Sequence, residues 1–535
     1  MFSWLDYALV CLYLLAMLAL GLTLGRYRLR RTEVDYLLAS RRIPWLAAGV
    51  SVMATMMSSI TYLAEPGEVW KSGTTHVLGK LLGIPLEMLI VWGFCIPFMM
   101  RFQFTSAYQY LGLRFGPLSQ RLGVALFVTV VLLWMGVVVS VLSQVIHHVT
   151  GIPLIVIVLT TGLVATCYTM MGGLRAVIWT DVVQVVLMVA SAGLTVGFIC
   201  WETGSWLPDW LRATEHHLRS SGQPDALPWF SWDPTVRATV VTVAINMAVW
   251  HVCVHTSNQM VVQRYLATSD VHAARRGFVT SACLSVAVSL LLLLVGMAVL
   301  YYYTNSGRPM DGQLDPERQR DLIFPMFAVC RLPAGAGGAV LVALLAAAMS
   351  TLDSGVNSVA TVVWVEWRGD KRASRNGGTR NSTDEADHVR GARAITLTTG
   401  LCITLTACLL DFLPAHWGIV GAIPRTFNAV TGPLGGLFLV GIFMPRVRER
   451  AALAATGIGL ATSILMGYLQ QIGDLLARWG AASNSWPELS FTWIMPCSLL
   501  ATLVAAPILG ALDRSPAKNV AGLTWRTRRE SVNAD

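Results

Sequence analysis

Apolar runs of about twenty residues alternate with short polar breaks along almost the whole chain. Set against their flanks, the runs fall at residues 5–24, 44–69, 77–100, 122–149, 153–171 and 176–201, and then at 236–255, 277–303, 335–365, 394–413, 417–443, 451–469 and 491–512. Each is long enough to cross a hydrocarbon core about 30 Å thick. The pattern predicts an all-α integral membrane protein of about 13 transmembrane helices. Residues 202–235, with Trp, Pro and acidic residues but few Arg, read as an outside loop. The stretch 368–388 mixes Gly, Ser, Asn and both charge signs without apolar period, and reads as a mobile cytoplasmic linker with no chemistry of its own.

Composition agrees. Of 535 residues, 55% are hydrophobic and 13% charged, with a mean hydropathy of +0.59; a soluble domain carries about 25% charged residues. No segment is long and polar enough for a separate soluble domain. The net charge of +9 would suit nucleic acid, but its distribution excludes that reading. The basic residues gather after the first span (Arg26, Arg28, Arg30, Arg31), at 264–276, 368–393 and 446–450, and in the tail at 514–529. These are alternate loops, as the positive-inside rule requires. The expected topology is therefore a multi-pass plasma-membrane protein with its amino terminus outside and its carboxyl terminus cytoplasmic. Asp6 before the first span and arginines after it are the reverse of a signal peptide, so that span is expected to be retained.

Two spans carry features that a lipid-facing helix avoids. Glu65-Pro66-Gly67-Glu68 closes the second with a breaker and two acids, and Asn246, His251 and Asn258 punctuate the seventh. Discontinuous helices are how many transporters expose backbone groups at a midplane site. The two lie five helices apart, which suits an inverted repeat of five helices each. In the ninth span Ser350, Ser354 and Ser358 recur every four residues and share one helical face with Thr351 beside them. That face suits either close helix packing or a hard cation that takes oxygen ligands. Asp181 and Asp353 are carboxylates near or within spans, where charge marks ion paths or proton relays. Lys80 lies among Leu78, Gly79, Leu81 and Leu82, where a charge costs about 2.5–3.5 kcal/mol. It calls for a partner: Glu65, Glu68 or Glu87, the membrane surface, or an anionic solute. His251 and His255, spaced i, i+4, suit a metal, but without a third ligand near in sequence the pair reads as helix packing or pathway lining. The ten cysteines stand singly and read as free thiols. No Ser/His/Asp, H-E-x-x-H or phosphate-loop pattern stands out, so an enzyme is not expected.

Five segments, in order, resemble the sodium:solute symporter family. They are Asp35-Tyr36-Leu37-Leu38-Ala39 with Pro44-Trp45 leading to Pro66-Gly67; Gly172-Gly173-Leu174-Arg175-Ala176-Val177-Ile178-Trp179-Thr180-Asp181; Asn258-Gln259 with Val262-Gln263-Arg264-Tyr265-Leu266, followed by Ala273 to Gly277; Met349-Ser350-Thr351-Leu352-Asp353-Ser354-Gly355; and Gly432-Pro433-Leu434-Gly435-Gly436-Leu437-Phe438. The resemblance implies a LeuT-like fold of two inverted five-helix repeats with extra flanking helices. It assigns 1–43 to an extra helix and cytoplasmic loop, 44–201 to the first repeat, 202–235 to an extracellular loop, 236–445 to the second repeat including linker 366–393, 446–512 to carboxyl-terminal helices and 513–535 to a cytoplasmic tail.

It also implies sodium-driven uptake of a small polar solute by alternating access, with sodium as coupling ion and no organic cofactor. Sodium would be bound by the Ser350 and Thr351 hydroxyls and the carbonyls of Ala347, Ala54 and Met57. Asp181, Asp353 and Ser354, with Ser350, would form a second cation position or exit path; Asp353 stands where some relatives have serine. The solute contacts fall on Thr61, Lys80, Asn258 and Arg425, and two cations there favour an organic anion such as a carboxylate over a sugar, which is the alternative. A passive channel is disfavoured by the lack of a filter loop, and a membrane sensor by a tail reaching only about twenty residues beyond the last span. The expected partners are the solute and the lipid bilayer, with no nucleic acid and no obligatory protein partner.

Overall fold

The structure is a computed structural model that describes residues 3–26, 32–220, 228–236, 238–305, 310, 314, 319–372, 382–412, 419–479, 486–514 and 519–529. Among these the regular elements are all helical. The first stretch comprises α1 (Trp4–Arg26), the short α2 (Glu33–Leu38), α3 (Trp45–Met56), α4 (Ser59–Ser72) and α5 (Thr75–Glu87). A wide π-type turn over Met88–Cys95 carries α5 into α6 (Ile96–Met99), followed by α7 (Gln109–Arg114), α8 (Pro117–Thr150) and α9 (Leu154–Thr203). After α10 (Leu207–Ser220) come α11 (Val240–Ser257), α12 (Gln259–Leu266), α13 (Val271–Asn305), α14 (Arg320–Arg331), α15 (Ala336–Arg372), α16 (Ser382–Phe412) and α17 (Ile419–Phe443). The last are α18 (Glu449–Gly467), α19 (Leu469–Arg478) and α20 (Phe491–Leu512).

Ten described helices are long and apolar enough to span a membrane, and α3 with α4, bent by 66° at their junction, makes an eleventh span. The expected thirteen are reached by dividing α9 at Gly173 and counting the shorter apolar part of α17, Phe427–Phe443. Gly173 has φ +62°, and a Cβ there would meet the Tyr36 carbonyl oxygen at 2.6 Å. Only glycine combines that backbone with so close an approach.

The centre of the bundle is α15, whose apolar window is 94% buried. Small residues at Ala343, Ala346, Ala347, Ala348 and Ser350 let it pack against α1, α3, α8, α9 and α16 with little space between backbones.

Both helix interruptions exist, but the first is displaced from its expected position. The chain leaves helical geometry at Met57 (φ −88°, ψ 87°) and Ser58, not at Glu65-Pro66-Gly67-Glu68. Ser58 Oγ caps the new helix by accepting from Thr61 N at 3.3 Å, as serine does at helix starts. Pro66 is carried inside α4; α13 packs closely there, since a Cβ on Gly296 would meet the Pro66 carbonyl at 2.7 Å. Tertiary support of this kind lets a membrane helix run through proline. In the seventh span the break falls at Asn258, whose Oδ1 accepts from Met260 N at 2.9 Å to start α12.

Three polar segments between or beyond the spans carry ordered structure, the linker expected to be mobile among them. The outside loop contains α10, with Trp210 buried against the bundle. The cytoplasmic linker is largely taken up by the ends of α15 and α16, and Arg368 pairs with Glu33; residues 373–381 lie outside the described residues. In the tail, Trp525 N donates to Ile442 O at 2.7 Å and Tyr110 donates to Leu523 O at 3.0 Å, docking the segment on α7 and the end of α17.

Candidate functional site

The serine face of α15 is turned towards the two broken helices. Ser350 Oγ donates to Ala54 O at 3.2 Å and Ala347 O at 3.1 Å, and Thr351 Oγ1 donates to Ala347 O at 3.2 Å. Ala54 is in the last turn of α3, where the break removes the next turn's amides, and Met57 follows at the break itself. Four of the five expected sodium ligands are thus joined in one hydrogen-bonded knot. Ala54, Ala347 and Ser350 are fully buried, and Thr351 and Met57 nearly so.

Ser354 and Ser358 face α12. Ser354 Oγ is bonded to Thr55 Oγ1 at 2.9 Å and to the Arg264 guanidinium, and Ser358 Oγ donates to Gln263 Oε1 at 3.0 Å. Arg264 is the group that reading the sequence missed. By charge it opens the basic loop 264–276, yet it is completely buried, with Nη2 3.6 Å from Asp181 Oδ2 and Nε donating to Ser51 Oγ at 3.0 Å. Ser51 Oγ in turn donates to Asp181 Oδ2 at 2.5 Å. The available signal is its place six residues after Asn258 within the motif Val262 to Leu266; the burial of the whole eight-residue helix is decided by packing.

Asp353 points the other way, accepting at Oδ2 from Tyr168 at 2.7 Å and Thr180 at 3.3 Å. Of the four residues expected at a second cation, Asp181 and Ser354 gather around Arg264, Asp353 is bonded to Tyr168 and Thr180, and Ser350 belongs to the knot with Ala54 and Ala347. Asp181 Oδ1 and Asp353 Oδ1 are buried and make no hydrogen bond. Two carboxylates against one guanidinium leave a formal charge of −1 when both are ionised, and a buried charge of that kind demands compensation.

Outside the break lies a cavity of about 300 Å³. Its wall includes Met57, Thr61, Lys80, Asn258 and Thr351, so three of the four expected solute contacts share one chamber with the hydroxyl of Thr351. Lys80 is ion-paired with Glu65, one of the partners the sequence offered. Arg425 does not line this chamber and pairs with Glu488 in the approach to α20. The aromatic rings of Trp134, Trp250, Phe427 and Phe491 supply much of the remaining wall. His251 and His255, without a third ligand in sequence, acquire one in space: Glu87 of α5 is 3.2 Å from His251 Nδ1 and 3.5 Å from His255 Nε2.

Apolar spans, two helices broken side by side, and a chamber running from those breaks to a polar face of the central helix define a secondary transporter. The model of the sodium:solute symporter family matches residues 36–459, and the chain belongs to that family. It is 27% identical over 519 residues to the sodium/sialic acid symporter SiaT of Proteus mirabilis, covering 97% of each chain. It is 30% identical over 507 residues to the sodium-dependent multivitamin transporter of Oryctolagus cuniculus, covering 93% of this chain and 75% of the other. A solved Na+-coupled sialic acid symporter, substrate-bound and outward-open, superposes with a TM-score of 0.78 at 26% identity, covering 97% of this chain and all of that one. The protein is a multi-pass sodium-coupled solute symporter of LeuT-like fold, with sodium as its coupling ion.

Proposed function

We propose that the solute is an organic anion bearing a carboxylate, carried inward with sodium. The observation that carries this reading is Lys80, a cation within a span that lines the same chamber as Thr351. Its ion pair with Glu65 neutralises it while the chamber waits. A solute carboxylate can replace Glu65 at the ammonium, with Thr61 and Asn258 offering neutral hydrogen bonds beside it. Arg425, held by Glu488, is the second cation such a solute meets, at the outer end of α17. The sialic acid symporters among the relatives carry an acid by name, which supports the class. A neutral sugar would leave Lys80 without a new partner.

Sodium is bound by the carbonyls of Ala54, Met57 and Ala347 and the hydroxyls of Ser350 and Thr351. The knot of hydrogen bonds already joining four of them supports this set. A second cation sits beside Asp181, Ser350, Asp353 and Ser354, supported by the two orphan carboxylate oxygens. The protein acts in the plasma membrane with its amino terminus outside and its tail cytoplasmic. It catalyses no covalent chemistry, its partners being the bilayer and the solute. The two inverted repeats occupy 44–201 and 236–445.

Competition uptake in proteoliposomes under a sodium gradient tests the solute class. Organic carboxylates are expected to inhibit and neutral sugars to leave uptake unchanged. Strong inhibition by a sugar and none by any carboxylate would overturn the anion reading in favour of a sodium/sugar symporter.

A further inference from the structure

One wall of the solute chamber carries a group that sodium coupling does not use. Glu87 on α5 and His251 and His255 on α11 each offer a ligand atom, and the three atoms lie within 4.8 Å of one another. The Glu87 Oε1 distances of 3.2 Å to His251 Nδ1 and 3.5 Å to His255 Nε2 match the edges of a zinc tetrahedron. With metal–ligand bonds of about 2.0–2.1 Å, adjacent ligands stand about 3.3 Å apart.

The orientation of the rings fits as well. His255 Nδ1 is hydrogen-bonded to the Tyr265 hydroxyl, the kind of outer contact that fixes a ligating imidazole's tautomer and leaves Nε2 free to ligate. His251 Nδ1 is buried and makes no hydrogen bond even though the carboxylate is 3.2 Å away. The two imidazoles are stacked 5.8 Å apart on one face of α11, as i, i+4 spacing provides. Glu87 is 3% exposed, a buried carboxylate that benefits from a cation beside it.

We propose that Glu87, His251 and His255 form a three-ligand site for a divalent first-row transition ion of the zinc type. All three residues line the chamber, so the fourth coordination position opens into it. A set of two imidazoles and one carboxylate with an open position is the donor pattern of accessible zinc sites. The site is independent of the identity of the solute and of the sodium ligands.

The test is cobalt titration of the purified, chelator-stripped full chain in detergent, followed by visible absorption. One equivalent per chain is expected, with the intense d–d bands of tetrahedral Co2+, displaced by Zn2+. His251→Ala and Glu87→Gln are each expected to weaken binding at least about a hundredfold. Tyr265→Phe keeps every ligand and the ring volume, and is expected to weaken it about 10–100-fold. Absence of the bands in the unmodified chain overturns the proposal whatever the variants do. So does full binding in both ligand variants, or a thiolate charge-transfer band, which would assign the metal to cysteine.

Discussion

Removing the hydroxyls of Ser350 and Thr351 tests the sodium site at its most exposed assumption. Thr351→Ala deletes one hydroxyl that now donates to Ala347 O at 3.2 Å, and leaves α15 intact because alanine favours a helix. A hydrogen bond or ligand contact to a charged group contributes about 1.5–3 kcal/mol, and each 1.4 kcal/mol is about tenfold. The sodium concentration for half-maximal uptake should therefore rise about 10–150-fold in Thr351→Ala. Ser350→Ala should do the same, since Ser350 Oγ bridges Ala54 O and Ala347 O across two helices. The double variant should lose sodium stimulation altogether. The two effects will not simply add, because both hydroxyls share the Ala347 carbonyl. The assay is initial-rate uptake in proteoliposomes over a sodium series at saturating solute. A double variant with the unmodified protein's half-saturation would refute the assigned ligand set.

Asp353→Ser replaces a buried carboxylate by a neutral hydroxyl; the sodium-to-solute ratio, measured by paired isotope flux, should fall, and an unchanged ratio above one would remove Asp353 from the second cation. Gly173→Ala forces a side chain into a glycine-only conformation against the Tyr36 carbonyl, at a cost of about 1–3 kcal/mol or more; an unaltered melting temperature in detergent would contradict the strain. His217 lies on α10, outside the spans, with its ring edge-on to Trp70 at 5.3 Å. Burial pushes its pKa below the usual histidine value, so the neutral form is favoured when α10 is docked. Stability from that docking is fully present above about pH 6.5 and is lost as pH falls towards the lower folded value. Corrected hydrogen exchange in α10 should quicken below that pH, and a pH-independent rate would contradict it.

Much of the fold was legible because the bilayer removes most alternatives. In lipid a backbone must bond to itself, so every apolar run of about twenty residues is expected to be a helix, and among the described residues ten spanning helices and the bent pair α3–α4 fall on the expected runs, two of which α9 joins across Gly173. The second interruption was also readable, since Asn258 is a residue that caps a new helix. The first was misplaced. Pro66 is a strong local breaker, but the packing of α13 at Gly296 carries the helix through it, and the unwinding occurs at Met57–Ser58, where Ser58 is a good N-cap but only one of several hydroxyl residues in a row, Thr55, Ser58, Ser59 and Thr61. The linker and the outside loop looked irregular because their polarity hides helix that packing against the bundle stabilises.

The helical membrane class, the alternation of basic loops, the hydroxyl face of α15 and, through its motifs, the family are written in the order of residues. These follow from period, length and charge, which act along the chain. Tertiary structure alone decided which charges meet. Arg264 joins Asp181, 83 residues away by numbering, only because the break at Asn258 turns α12 into the core. Glu65 answers Lys80, and Glu87 answers His251 and His255, because α5 packs beside α4 and α11. Interactions between charges depend on distance in space and on the low dielectric around them, and neither is written in the order of residues.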